Sequence, residues 1–241
     1  MKTFLKAHWK NLIMINFEVP KELLQPYVPQ GTEIDLWKGK AYLSLVAFLF
    51  DKTYVLGIPA LWNQKFEELN IRFYIKRVED KEEKRGVAFI REIVPKPLVT
   101  SLANLCFSEH YETLKMGHKT IYFDSTKKEI KNLEYTVEKN GFHRVSARLT
   151  SNLIDLPKES FEEFIAEHYW GYSKVNCKKT IEYEVQHPKW RIFNGAKVSF
   201  NCDFRALYGE EWAFLNRQNP VSMFVAEGSE IKVGFPKTIS W

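Results

Sequence analysis

The clearest pattern in the chain begins at Phe66. Leu69, Ile71, Phe73 and Ile75 alternate strictly with Glu68, Asn70, Arg72 and Tyr74. Successive side chains of a strand point to opposite faces of a sheet, so this alternation predicts a strand with one apolar and one polar face. The apolar face belongs to a core. The polar face carries a carboxylate, an amide, a guanidinium and a phenol in one row. Facing water, that row is an ordinary solvated surface. Facing the inside of a closed sheet, it is a set of polar groups withdrawn from bulk water, and its presence there requires a reason. The alternation alone leaves both readings open.

Similar patterns place the other elements. A strand is predicted from Trp9 to Phe17, then a short helix at Pro20-Lys21-Glu22-Leu23-Leu24 with proline at its start. Two strands follow, around Thr32 to Trp37 and Lys40 to Phe50, split by the turn Lys38-Gly39. Residues 52–64 read as a loop marked by Gly57 and Pro59, with Trp62 near its end. The charged run from Glu79 to Gly86 predicts a solvated hairpin tip, with Val87 to Val94 as the return strand. Pro95-Lys96-Pro97 opens a helix to about Phe107, with Leu98, Leu102, Leu105 and Cys106 at helical spacing. Strands are expected near 119–124, 130–138 and 142–150, the last two joined by Asn140-Gly141, a strong hairpin signal. Pro157 opens a second helix through His168, with Phe161, Phe164, Ile165 and His168 as its inner stripe. Further strands are expected near 178–186, 190–200 and 222–235. About a dozen strands and two helices, spread evenly without repeat or linker, predict a single mostly β (α+β) domain over residues 1–241. Its sheet is antiparallel and closed or nearly closed, with the helices outside.

Composition narrows the classes. Hydrophobic residues are 45%, aromatics 15% and charged residues 27% of 241, a globular rather than a disordered chain. The longest apolar run, Ala41 to Phe50, falls short of the roughly 18–20 residues a membrane helix needs. The start of the chain, Met1 to Trp9, has no apolar signal-like region. Cys106, Cys177 and Cys202 are far apart and odd in number, without C-x-x-C, which points to a reducing cytoplasm. The net charge of +5 is scattered, with only small clusters at Lys127-Lys128 and Lys178-Lys179. Such a weak field speaks against nucleic acid as the partner.

Candidate chemistry is sparse. There is no G-x-G-x-x-G, Walker loop or G-x-S-x-G elbow. The 6 histidines form neither H-x-x-x-H nor H-x-H. His110 and His118 could meet across a hairpin beside Glu109 and Glu112, but closer ligand pairs are usual for zinc, so no metal is expected. Three constellations remain. Glu68 and Arg72 share one strand face about 13 Å apart, too far to pair directly but suited to clamp a carboxylate-bearing ligand. Arg72 would supply a fork of donors and Glu68 would act as acid or base. The second is the titratable loop Glu109-His110-Tyr111-Glu112, which could equally be a polar surface loop. The third is Gln186-His187-Pro188-Lys189-Trp190, where His187 is either a general base or a structural histidine stacked near Trp190.

Five stretches together resemble the bacterial YqjF-like family, a domain of unknown function within the acetoacetate decarboxylase-like superfamily. They are Phe17 through Gly31, Ile34 through Val46, Phe66 through Tyr74 with its E-x-N-x-R-x-Y core, Tyr111 to Met116, and His168 through Trp190. In the last, Tyr169, Tyr172, His187 and Trp190 stand where the family's R-Y-x-x-Y and H-x-x-W are expected. The resemblance covers nearly the whole chain. It implies a cone-shaped antiparallel β-barrel with a few flanking helices and a pocket inside, into which the Glu68 row points. It also implies a lysine that forms a Schiff base with a keto acid. That lysine is expected within Glu109 to Glu112, where there is none; Lys115 lies downstream, and Lys96 follows Pro95 upstream of the helix. Asn104 and His168 stand where arginines are expected.

The resulting expectation is a barrel-enclosed pocket for a small, carboxylate-bearing molecule, either in a lyase-like enzyme lacking the Schiff-base lysine or in a non-catalytic binding barrel. Glu68 and Arg72 are the candidate catalytic pair; Asn70, Tyr74, His110, Tyr111 and His187 are the candidate ligand contacts. No cofactor is expected. The expected partner is a small-molecule ligand, without nucleic acid or membrane, and a homo-oligomer is compatible with the chain.

Overall fold

The computed structural model describes residues 1–126 and 129–240. The Lys127-Lys128 cluster lies outside them. Long strands pair in the order Thr3–Val19, Ala41–Val55, Phe66–Glu79 and Glu82–Val94, all antiparallel. Glu82–Val94 then pairs in parallel with Trp170–Asn176, which pairs with Lys179–Gln186. Two antiparallel contacts, Val185 with Val233 and Gln186 with Lys232, join that strand to Ser222–Gly234. Ser222–Gly234 in turn runs antiparallel to Thr3–Val19, so the path of pairings returns to its start.

A second sheet of four strands, in the order Lys197–Asn201, Phe142–Arg148, Ile130–Glu138 and Lys115–Tyr122, covers the outside of this ring. The stretches Leu12–Phe17, Ala41–Phe50 and Phe66–Ile75 of the ring are buried on both faces. Leu69, Ile71, Phe73 and Ile75 pack outward with Leu133, Tyr135 and Val145 of the second sheet and with Phe204, Leu207 and Trp212. Met14, Val46, Phe48 and Val87 pack inward with Phe164 and Ile165 of the helix Phe161–Ala166. Each such aliphatic or aromatic side chain contributes about 1.5–3 kcal/mol by leaving water.

Several local expectations hold. The turns Lys38-Gly39 (φ 50° and 80°) and Asn140-Gly141 (φ 50° and 140°) form, the first closed by the Trp37–Lys40 bridge. The helix Pro97–Phe107 forms as well. Other features differ. The charged run is mostly strand: only Asp80 and Lys81 make the turn, both in the left-handed region, and Glu82 already belongs to the return strand. Its tip, Asp80 to Glu83, is exposed as expected, and opposite charges also pair beside it, with Lys76 Nζ donating to Glu83 Oε2 at 2.8 Å. The second helix is shorter than expected, Phe161–Ala166, with Ser160 as its N-cap, whose Oγ accepts from Glu163 N at 3.0 Å. Residues 190–200 split into Arg191–Phe193 and Lys197–Asn201, which belong to different sheets. On the helix Pro97–Phe107, Leu98 and Leu105 are 71% and 83% exposed, and Val99, Leu102 and Phe107 face the ring interior instead. Helix Phe204–Tyr208 and strand Trp170–Asn176 add to the expected set.

Candidate functional site

The strand Phe66–Glu79 lies between Ala41–Val55 and Glu82–Val94, and every residue from Phe66 to Ile75 is buried. Its polar row turns inward. Glu68, Asn70 and Arg72 form part of the wall of a cavity of about 130 Å³ inside the ring. Much of the remaining lining is aromatic, with Trp9, Phe48, Phe50, Phe89 and Trp190 among it, Phe48 directly beside Glu68 and Phe89 beside Arg72.

A bulge brings in a second carboxylate. Arg72 pairs with Phe89, but Ile71 pairs with Arg91, so Ile90 is an extra residue in the return strand. Plain alternation from Val87 and Phe89 would turn Arg91 into the cavity. The insertion reverses the faces beyond it, which is how a bulge re-aims a side chain. Arg91 points outward, where Nη1 donates to Leu207 O and Glu112 Oε2, each at 3.2 Å. Glu92 points inward, opposite Asn70.

Glu109 supplies a third. Ser108, with φ 52°, ends the helix Pro97–Phe107 in a left-handed C-cap and turns the chain back across the ring. Tyr111–Thr113 then pairs in parallel with Glu92–Val94. Asn104 holds this turn from the helix: its Oδ1 accepts from Tyr111 N at 2.8 Å and its Nδ2 donates to Tyr111 O at 3.1 Å. An amide at this position thus has a backbone to satisfy, which a guanidinium could do only in part.

The three carboxyls share little counter-charge. Glu68 accepts from Asn70 Nδ2 at 2.7 Å and from the Tyr111 hydroxyl at 3.1 Å. Glu109 accepts from the Tyr183 hydroxyl at 2.6 Å. No lysine or arginine pairs with Glu68, Glu92 or Glu109 among the described residues. Burial pushes both Glu68 and Glu109 up to about 7. Glu92 is driven well above the usual carboxylate range by burial, with Glu109 and Glu68 adding like-charge repulsion. The cluster therefore retains protons near neutral pH. Tyr183 reaches Glu109 because its ring lies across Gly171, the residue directly opposite it; a Cβ there would sit 2.1 Å from the ring.

Arg72 is 7% exposed and makes no ion pair among the described residues. Its guanidinium lies 5.9 Å from the centre of the Tyr74 ring. His168 also lines the cavity, and its Nε2 donates to Asp35 Oδ2 at 3.2 Å, while Arg85 Nε donates to the same oxygen at 2.7 Å. Burial lowers His168 to about 4, against the pull of Asp35, so the ring is neutral. His187 is on the wall too, stacked on Trp190 at 4.2 Å and 15°, with Nδ1 donating to Pro188 O at 2.9 Å. Burial lowers it to about 4 as well.

The cavity wall thus brings together Glu68, Asn70, Arg72, Tyr111 and His187. Tyr74 and His110 lie elsewhere. Tyr74 is packed behind the wall, its hydroxyl 2.5 Å from Ser44 Oγ and its ring 4.8 Å from that of His168. His110 is exposed and opens onto a separate cleft with Tyr27 and Lys174. It does not meet His118, which pairs with Glu67 on the outward face. Among the described residues no group of three His, Cys, Asp or Glu is placed to hold a metal. Lys96 sits beside Glu67 rather than in the cavity, and Lys115 is 76% exposed and pairs with Glu138 at 2.8 Å. Glu92, His168 and Tyr183 were not singled out by sequence reasoning as site residues, and Glu109 only as part of a loop. Glu92 carried no sequence signal: counting back from the turn sets Arg91 across from Asn70, and only the bulge brings Glu92 there.

Residues 6–230 match DUF2071, a family described as an uncharacterized conserved protein. The chain belongs to the DUF2071 family. This DUF2071 protein is 23% identical over 203 residues to the uncharacterized protein YqjF of Bacillus subtilis (strain 168), covering 82% of this chain and 78% of that one. Its structure is similar to an acetoacetate decarboxylase-like enzyme from Sphingomonas wittichii RW1, with a TM-score of 0.66 at 10% identity, covering 100% of this chain and 94% of that one. It is also similar to the enduracididine biosynthesis enzyme MppR in complex with pyruvate, with a TM-score of 0.63 at 9% identity, covering 100% and 91%. At such identities the likeness is one of fold: mostly β and acetoacetate decarboxylase-like. No helix among the described residues of this DUF2071 protein is long and apolar enough to cross a membrane.

Proposed function

We propose that the whole chain is one cytoplasmic domain whose ring of strands acts as a cone-shaped barrel, binding a small carboxylate-bearing molecule in its cavity. One observation carries this reading: Arg72 is buried on the cavity wall without a carboxylate partner, beside carboxyls that retain their protons. An unpaired buried guanidinium costs several kcal/mol. A ligand carboxylate would offset that cost by accepting the guanidinium's forked pair of hydrogen bonds. Glu68, titrating near 7, is placed to exchange a proton with the ligand, and Asn70 and Tyr111 hold its two oxygens in place. His187 forms part of the apolar wall and Tyr74 supports it from behind. Support for a small-acid ligand also comes from MppR, a structural neighbour whose structure contains pyruvate.

A second reading, binding without turnover, rests on the lining itself. No lysine reaches the cavity among the described residues, so imine chemistry has no nucleophile there. Titration calorimetry with short 2-oxo and 3-oxo acids tests the site. Arg72→Ala is expected to weaken their binding at least tenfold, and Glu68→Gln to remove any turnover while leaving binding within about threefold. Borohydride treatment in their presence is expected to give no lysine adduct. If both variants bind and process the acids like the parent, the assignment is wrong; an adduct at Lys96 or Lys115 would restore imine chemistry.

A further inference from the structure

Six buried side-chain atoms on the cavity wall lack a hydrogen-bond partner: Trp9 Nε1, Asn70 Oδ1, Arg72 Nε, Glu92 Oε2, Glu109 Oε2 and His168 Nδ1. Buried polar atoms are normally satisfied, so their gathering on one wall outlines what a ligand has to offer. Trp9 and Arg72 can only donate. Two of the others are fixed as acceptors. The Asn70 amide nitrogen is committed to Glu68, which leaves Oδ1 towards the cavity. The His168 Nε2 proton is committed to Asp35, which leaves Nδ1 with a lone pair. Glu92 and Glu109 accept as soon as they ionise. A carboxylate satisfies the donors and brings nothing to the acceptors.

We infer that the ligand carries a primary amine as well as a carboxylate: a short amino acid with an apolar body, its carboxylate on Arg72 and its ammonium group between Glu92 and Glu109. This rests on the reading of Arg72 as the carboxylate anchor. Asn70 stands directly across from Glu92, and Arg72 is two residues further along the same strand. The two anchors are thus offset by about 7 Å along the strand and about 5 Å across it. Side chains reaching inward from those positions suit a ligand whose charges are separated by one or two carbons. An ammonium group brings three donors and a positive charge to a site where three carboxyls otherwise repel one another, and a hydroxyl would bring one donor and no charge. A cavity of about 130 Å³ matches a body no larger than a small hydrocarbon.

Binding is linked to proton release, because the ammonium favours the ionised carboxyls. The groups that face the cluster are Arg72 from its own strand, Tyr111 from the turn after the helix, Tyr183 from the strand Lys179–Gln186, and the neutral His168 and His187.

Titration calorimetry on the full chain at pH 7, in phosphate and in Tris, separates the alternatives. The probes are L-alanine, L-valine and L-leucine, their matched 2-oxo acids, and the matched amines without the carboxyl. The expected result is that at least one amino acid binds tenfold or more tightly than its oxo acid, with a buffer-dependent heat that reports proton release. Glu92→Gln is expected to remove that preference while keeping the parent's oxo-acid affinity and melting cooperatively at a temperature no lower than the parent's, and Glu109→Gln provides the same test should the first variant fail to fold. Oxo acids binding as tightly as the amino acids would overturn the amine and leave the Arg72 reading standing. Binding of the amines alone, or of none of the probes, would overturn both.

Discussion

Glu182 and Glu92 are both buried carboxylates on strands of one ring, and their surroundings are opposite. Glu182 accepts from Arg77 Nη1 at 2.8 Å and from Lys84 Nζ at 3.3 Å, and both cations also pair with Glu79. That network ties three strands, Phe66–Glu79, Glu82–Val94 and Lys179–Gln186, at one end of the ring. Glu92 has two carboxyls and two phenols around it and no paired cation among the described residues. A buried charge completed by its own chain is a structural joint. A buried carboxyl left incomplete, in a cavity, is a place for something else to complete it.

The largest expected effect lies at the structural joint. Arg77→Ala leaves Glu182 with Lys84 as its ion-pair partner and should cost about 3–5 kcal/mol in chemical denaturation. A loss below about 1 kcal/mol would dissolve the distinction between the two carboxylates. Next comes the frame of the unpaired cluster. Gly171→Ala places a methyl group against the Tyr183 ring, which must swing away and release Glu109. Overpacking of this kind costs about 1–3 kcal/mol, and the Tyr183 displacement should show as a changed tyrosine absorbance and weaker ligand binding. An unchanged spectrum and affinity would separate Tyr183 from the site.

The smallest effect is the pH dependence. Glu68 and Glu109 titrate near 7 in the folded chain against an ordinary 4.5. Between those values the folded state holds more protons than the unfolded one, so these groups lower stability as pH rises through that window. His168 and His187, at about 4 against an ordinary 6.5, do the reverse: their contribution rises with pH up to 6.5. The two trends oppose each other below pH 6.5. Above it the carboxyl trend stands alone, and Glu92, raised by burial and by repulsion from Glu109 and Glu68, acts in the same direction. Stability of the unliganded protein should therefore fall between pH 6.5 and 8, by about 1–2 kcal/mol from Glu68 and Glu109 together. Glu92→Gln should fall less steeply than the parent. A flat parent curve would mean that the carboxyls are solvated.

Much of the fold was legible because it is local. The alternation from Leu69 to Ile75, the Asn140-Gly141 turn and the proline that opens Pro97–Phe107 each act within a few residues. The strand Trp170–Asn176 was not legible, because Gly171 weakens strand propensity. Its glycine is needed only by a tyrosine that folding brings opposite. Leu98 and Leu105 misled for a related reason. Helical spacing identifies faces but not which one is covered, and the ring takes the Val99, Leu102 and Phe107 face. Within the site, Glu68, Asn70, Arg72 and Tyr111 could be found from the chain, whereas Glu92 depended on a bulge and Tyr74 lost its place to a hydrogen bond with Ser44.

The sequence by itself determined that Glu68, Asn70 and Arg72 would share a strand face opposite Leu69, Ile71 and Phe73, since alternation is a property of extended backbone. Only the tertiary structure decided that the polar face would look inward. That outcome depends on the second sheet covering the apolar side and on Val185 and Gln186 meeting Val233 and Lys232 to close the ring. It also decided that Glu92 and not Arg91 would face Asn70, because one inserted residue shifts the register of two strands, and register is set by packing between them.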